Sequence, residues 1–152
     1  MKKIFITCLI FICSIQVSAD TLNLDSFAKG YFEAWKISQR PGATKQDLEN
    51  YLTFLADDIG HQHLPYNQDD TRKVGGKHSM RKGMSYYLGL HSKYSAKLVS
   101  YTTGFNVIII QYETHSEGIH PQSGQIITQN SNTVEVLEID NNKVSVIRKY
   151  SE

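Results

Sequence analysis

The chain has 152 residues, with 16 Lys and Arg against 15 Asp and Glu and 40% hydrophobic side chains. That is the size of one domain, apolar enough to close a single core and too apolar for a disordered chain. A formal charge of +1 supplies no basic field, which argues against nucleic acid as a partner.

Residues 1–19 read as a signal peptide. Lys2 and Lys3 form a short positive start, Ile4 to Ile15 is an apolar run too short to span a bilayer, and Val17-Ser18-Ala19 fits a cleavage site before Asp20. The alternative is a buried N-terminal strand or helix. Cleavage after Ala19 removes Lys2 and Lys3 and turns the net charge of +1 into −1. Cys8 and Cys13 leave with the segment, and with them any disulfide, thiol nucleophile or Cys-ligated metal. Thr7 and Ile12 precede these cysteines where a lipid-anchor signal would carry a small residue. A periplasmic or secreted protein of bacterial type is expected. No other apolar run is long enough to span a membrane.

The mature part, 20–152, reads as one domain. Leu24, Phe27, Ala28, Tyr31 and Trp35 recur at helical spacing, which predicts a helix over 23–38, capped by Asn23 or Asp25 and stopped at Arg40-Pro41-Gly42. Thr44 and Asp47 resemble a capping box for a second helix over 44–55, with Leu48, Tyr51, Leu52 and Leu55 as its apolar stripe. A short strand is predicted over 59–64, ended by Pro65. Residues 66–76 form a polar loop, long enough to be suspected of function or mobility. A third helix is predicted over 77–90, weakened by Gly83 and Gly89.

From Ser92 the period becomes two. Strands are predicted over 94–101, 106–116, 126–139 and 143–150. The third of these is long enough to need a bulge, and Asp140-Asn141-Asn142 is a hairpin turn. Helices followed by a mostly antiparallel sheet make the fold class α+β. Three helices over one curved sheet leave a cone that opens between the layers, a place that favours pockets. A lipocalin-like barrel does not accommodate three preceding helices.

Three stretches carry a family resemblance. Phe54-Leu55-Ala56-Asp57-Asp58-Ile59, Gly75-Gly76-Lys77 before a helix, and Asn142-Lys143-Val144 through Arg148-Lys149-Tyr150 resemble, in this order, the SnoaL-like branch of the nuclear-transport-factor-2-like (NTF2-like) superfamily. The last stretch departs from the family pattern: Asn142 stands for its turn Gly, Lys149 for its Glu, and Ser151-Glu152 for its usual ending. The resemblance covers nearly all of 22–152. It implies an NTF2-like cone of three N-terminal helices on a curved sheet, a pocket between the layers, and often a homodimer through the sheet. It does not imply one chemistry, because such proteins include cyclases, isomerases, dehydratases, epoxide hydrolases and plain binding modules.

His61 and His63 share one face of the first strand beside the polar loop. An imidazole suits acid–base work, with His61 as the candidate catalytic residue and His63 a candidate ligand contact. Surface or hydrogen-bonded histidines are the plainer reading, and two imidazoles alone do not close a metal site. Asp57, Asp58, Asp69 and Asp70 fit helix ends, turns or solvent. Glu113 and Glu135 fall on central strands, where a buried carboxylate needs a partner, and Arg148 is a candidate for that role or for clamping an anionic ligand. Tyr31, Trp35, Met84, Tyr87 and Tyr112 are candidate pocket lining and otherwise core packing. Nine Tyr against six Phe favours a polar-tipped interior.

The sequence-based expectation is therefore an exported protein that binds a small, partly apolar molecule, with cofactor-free acid–base chemistry and no metal. The alternative is a non-catalytic ligand-binding or interaction module.

Overall fold

The computed structural model describes residues 22–120 and 122–152; the expected signal peptide lies outside them. The elements follow the order α1 (Leu24–Gln39), α2 (Lys45–Leu52), β1 (Leu55–Leu64), α3 (Gly76–Tyr87), β2 (His91–Gly104), β3 (Val107–Ile119), β4 (Ile126–Asp140) and β5 (Lys143–Ser151). The strands form one sheet in the order β1-β5-β4-β3-β2, parallel between β1 and β5 and antiparallel elsewhere. This is the expected α+β cone of three helices on a curved sheet. Among the described residues, no helix is long and apolar enough to cross a membrane.

The caps set the helix starts. Asn23 accepts a hydrogen bond from the Ser26 N–H at 2.9 Å. Thr44 and Asp47 form the full capping box. α1 ends where expected, whereas α2 and α3 end earlier than their apolar stripes predict. α2 stops at Leu52 because the next residues join the sheet: the Val144 N–H donates to the Phe54 carbonyl at 2.8 Å, and Leu55 pairs with Val144. Leu55 is thus the first residue of β1, not the last of a helix. α3 ends at Tyr87 because Leu88 is extended and Gly89 takes φ 74°, which favours glycine. The turn after β4 has Asn141 and Asn142 both at positive φ, the geometry of a two-residue hairpin.

α1 packs on β2 and β3, and α3 on β1. The face of the sheet that meets the helices carries Ile108, Ile110 and Tyr112 from β3, Thr133, Glu135 and Leu137 from β4, and Ile147 from β5, all buried. They close over Ala28, Tyr31 and Phe32 of α1 and Leu48, Tyr51 and Leu52 of α2. Each fully buried Leu or Ile contributes about 1.5–3 kcal/mol. The long strand β4 does carry a register shift, between Glu138 and Ile139. A second shift, between Leu98 and Ser100, moves the half-buried set on β2 from Tyr94, Ala96 and Leu98 to Tyr101 and Thr103.

The polar loop is fastened down as a strap across the outer side of β1. Lys73 N–H donates to the Asp58 carbonyl at 3.0 Å. Arg72 bridges Asp58 and Asp140, each at 2.9 Å. Asp70 pairs with Arg148 at 2.7 Å. A Cβ on Gly60 would overlap the Asp70 carbonyl oxygen, so the close approach of strap and strand requires glycine there.

Candidate functional site

The helix-facing side of the sheet contains one buried acid. Glu135, 4% exposed, sits in the middle of β4. An ionised carboxylate in such a place needs hydrogen-bond donors. Tyr112 donates to Oε1 at 2.7 Å and Tyr31 to Oε2 at 3.1 Å. The Tyr51 hydroxyl lies 3.2 Å from that of Tyr31. Tyr31 has one proton and gives it to Glu135, so Tyr51 is the donor between the two phenols. Burial, and next the charge of Glu135, push the hydroxyls of Tyr31, Tyr51, Tyr94 and Tyr112 above the usual phenol range. They stay neutral and keep their protons as donors.

Tyr94 differs from the other three. Its hydroxyl is buried and has no hydrogen-bond partner among the described residues. Its ring stacks on His91 at 5.2 Å and meets Trp35 edge-on at 6.3 Å. Trp35 in turn lies 4.7 Å from Tyr112. Burying a hydroxyl without a partner costs about 1–3 kcal/mol.

The sheet register brings two further groups to Glu135. Lys149 on β5 is directly opposite Glu135, and His63 on β1 is directly opposite Lys149. The Lys149 ammonium lies 5.6 Å from the Trp35 ring centre and 5.9 Å from that of Tyr112. His61 is opposite the buried Ile147, and its ring is 6.1 Å from that of His63. Burial, then the charge of Lys149, hold both imidazoles below their ordinary value of 6.5; at His63 Glu135 opposes part of this. Near pH 7 both rings are therefore neutral, each with one donor and one acceptor nitrogen.

Among the expected site residues, Tyr31, Trp35, His61, His63 and Tyr112 come together here. Met84 of α3 is half-buried and packs against the core. Tyr87 does not join them. It is 55% exposed, meets Tyr86 edge-on, and lines a separate groove with Leu90 and Ile119. Arg148 lies on the opposite face of the sheet. Its guanidinium is used by Asp70 at 2.7 Å and Glu138 at 2.6 Å, so neither Glu135 nor Glu113 is its partner. It is a fastening for the strap, because β5 alternates and Lys149 takes the inward position. Among the described residues no three His, Cys, Asp or Glu converge as a metal-binding set.

Tyr51, Tyr94 and Lys149 are the residues that the sequence reading does not assign, and Glu135 appears in it only as an acid in need of a partner. A period-two reading of Thr133, Glu135, Leu137 and Ile139 was the available signal for Glu135. Tyr51 passes for one more member of an apolar stripe, and nothing local marks its hydroxyl.

No family model matches the sequence, and no curated protein matches it. Solved structures do match. A protein assigned as a SnoaL-like polyketide cyclase from Shewanella putrefaciens superimposes with a TM-score of 0.65 at 15% identity, over 87% of this chain and 91% of that one. An NTF2-like protein from Anabaena variabilis gives 0.63 at 14% identity, over 90% and 95%. An LEH-like epoxide hydrolase of M. tuberculosis gives 0.58 at 13% identity, over 84% of each. At such identities the likeness concerns the backbone and says nothing of the site. The chain has the α+β cone fold of the SnoaL-like and NTF2-like proteins.

Proposed function

We propose that this protein binds a small, partly apolar molecule between helices and sheet and moves a proton on it without a cofactor. The observation that carries the reading is Glu135, a buried carboxylate oriented by two phenols; the Trp35 ring links it, through Tyr112, to Tyr94, whose hydroxyl has no partner among the described residues. The reaction class is proton abstraction next to a carbonyl, as in isomerisation or dehydration. Glu135 takes the proton from carbon, the electron pair of that C–H bond forms a C=C bond to the carbonyl carbon, and the carbonyl π pair moves to oxygen. The Tyr94 hydroxyl donates to that oxygen as its charge develops. The proton then returns to a second carbon, or to a departing hydroxyl. His61, neutral near pH 7, is the second proton-handling group, and His63 orients the ligand. Trp35, Met84 and the Tyr112 ring contribute the apolar contacts. The fold likeness to cyclases and an epoxide hydrolase agrees with such chemistry as an analogy.

The reaction class is tested with 2-tetralone, a flat ketone with exchangeable α-hydrogens, in deuterated buffer. The account expects deuterium incorporation above the buffer rate, lost in Glu135→Gln. Incorporation no faster than buffer, or equal in wild type and variant, overturns it.

We also propose export, supported by the charged start, apolar run and small residues of 1–19. The mass of the protein recovered from the periplasm or medium is expected to begin at Asp20. A protein that keeps Met1 contradicts this.

A second reading concerns the outer face of the sheet. Ile109 and Tyr150 are each 42% exposed there, and Tyr150 borders a groove of about 480 Å³ with Leu64, Gln111 and Val134. This face suits a homodimer through the sheet. Sedimentation at micromolar concentration is expected to give twice the chain mass, and a monomer contradicts it.

A further inference from the structure

Resting on this reading of the site, we infer that the molecule it takes is an organic acid whose carboxylate is held by the ammonium of Lys149, with the imidazoles of His61 and His63 beside it. Lys149 is exceptional among the half-buried basic side chains of the described residues. The described half-buried Lys and Arg residues are Lys36, Lys77, Arg81, Arg148 and Lys149. The first four each pair with a carboxylate at 2.6–3.3 Å. Lys149 has no carboxylate within 4.0 Å and no hydrogen-bond acceptor among the described residues, although it carries three N–H donors. Glu135 faces it across the strands, but the Glu135 oxygens are taken up by Tyr31 and Tyr112. The ammonium rests over two aromatic rings instead.

The two histidines extend the pattern. His91, His115 and His120 each engage a ring nitrogen, with Gln39, Asn130 and Ser123 respectively, and His78 is exposed on α3. The rings of His61 and His63 have no such partner among the described residues; they face each other at 6.1 Å, and His63 meets the Tyr66 ring edge-on at 5.5 Å. Three side chains with free N–H groups thus lie on neighbouring strands, on the side of the sheet that holds Glu135. They match the several acceptor sites of one carboxylate. Beside them the half-buried Trp35 ring, packed on Tyr112, offers flat apolar surface for the body of the molecule. An acid anchored at Lys149 has its neighbouring carbons directed along the β5–β4 pair, toward Glu135. The carboxylate also brings the negative charge that this half-buried cation lacks, so the preference for an acid over a neutral analogue is expected to be large.

The test compares 2-naphthoate with 2-naphthamide, which share ring and shape and differ in charge. Affinities for the full chain are measured by calorimetry, and the His61 and His63 ring shifts by NMR. The expected result is that 2-naphthoate binds at least about tenfold tighter, that both histidine rings shift, that Lys149→Met abolishes the preference and that Lys149→Arg keeps it. Equal affinity of acid and amide in the wild type overturns the inference without any variant. So does a preference that survives in Lys149→Met, or no binding of 2-naphthoate at about 10 mM. Failure of the anchor is separable from failure of the acid–base reading. Glu135→Gln is expected to keep the preference for the acid while losing deuteration of 2-tetralone. A Lys149-dependent preference without Glu135-dependent deuteration removes the acid–base reading alone, and the converse removes the anchor alone.

Discussion

Glu135 and Lys149 face each other across β4 and β5, yet they do not form an ion pair. The carboxylate takes its hydrogen bonds from Tyr112 at 2.7 Å and Tyr31 at 3.1 Å, and the ammonium lies over the rings of Trp35 and Tyr112. Holding a buried acid by neutral donors spares it the tight pairing that would quench it as a base. It also leaves the cation free for a second anion. Half of the roughly four acceptor positions of a carboxylate remain unused at Glu135.

The phenols that hold Glu135 are part of the structure of the core. Tyr112→Phe leaves Oε1 without a donor, and the expected loss is about 1–3 kcal/mol in urea unfolding. An unchanged midpoint would mean that another group, such as water, already serves that oxygen.

Tyr94→Phe is expected to behave in the opposite way. The hydroxyl has no partner to lose, so stability stays constant or rises by up to about 1 kcal/mol. Deuteration of 2-tetralone is expected to fall by about 10- to 100-fold, because the developing oxyanion loses a donor. A variant that is destabilised while its activity is unchanged would assign this hydroxyl to the core alone.

The histidines set a pH dependence with a definite sign. Burial and then Lys149 hold the folded values of His61 and His63 below 6.5. The unfolded chain therefore binds protons first as pH falls, and the stability present above about pH 6.5 is progressively lost down to the folded values. Carboxylates such as Asp69 and Asp58, held low by Lys73 and Arg72, act only at lower pH. Unfolding midpoints at about pH 7 and about pH 5.5 are expected to drop for the wild type and to change less for the double variant His61→Asn/His63→Asn. Equal drops would contradict the assigned burial.

On the outer face, Arg148 fastens the strap. Arg148→Gln is expected to cost about 1 kcal/mol. It should speed amide exchange over 66–74 and leave 2-naphthoate affinity unchanged. A loss of affinity would return Arg148 to the ligand site. Gly60→Ala is expected to cost about 1–3 kcal/mol, because the new methyl group displaces the Asp70 backbone. An unchanged stability would show that the strap yields freely.

The fold was legible where its signals are local. Asn23, the Thr44–Asp47 box and the Asn141-Asn142 turn mark their own element ends, and period-two alternation marks the four long strands. What the sequence could not supply was pairing. Leu55 continues a helical stripe, and only its pairing with Val144 on β5 makes it the start of a strand. The site divides the same way. His61 and His63 stand out because two imidazoles on one strand are visible at a glance. Lys149, Glu135 and His63 become neighbours only through the register of three strands, two of which run parallel and lie far apart in sequence. Arg148 attracted attention as the cation beside a strand acid, and a one-residue change of parity puts Lys149 in its place.

The central claim is that Glu135 moves the proton, with His61 assisting, and the α-deuteration of 2-tetralone by Glu135→Gln beside His61→Ala measures it most directly. Glu135→Gln, folded and still binding 2-naphthoate, is expected to lose about 100-fold or more of the wild-type rate above buffer, and His61→Ala to lose less. Deuteration by Glu135→Gln at the wild-type rate would contradict it.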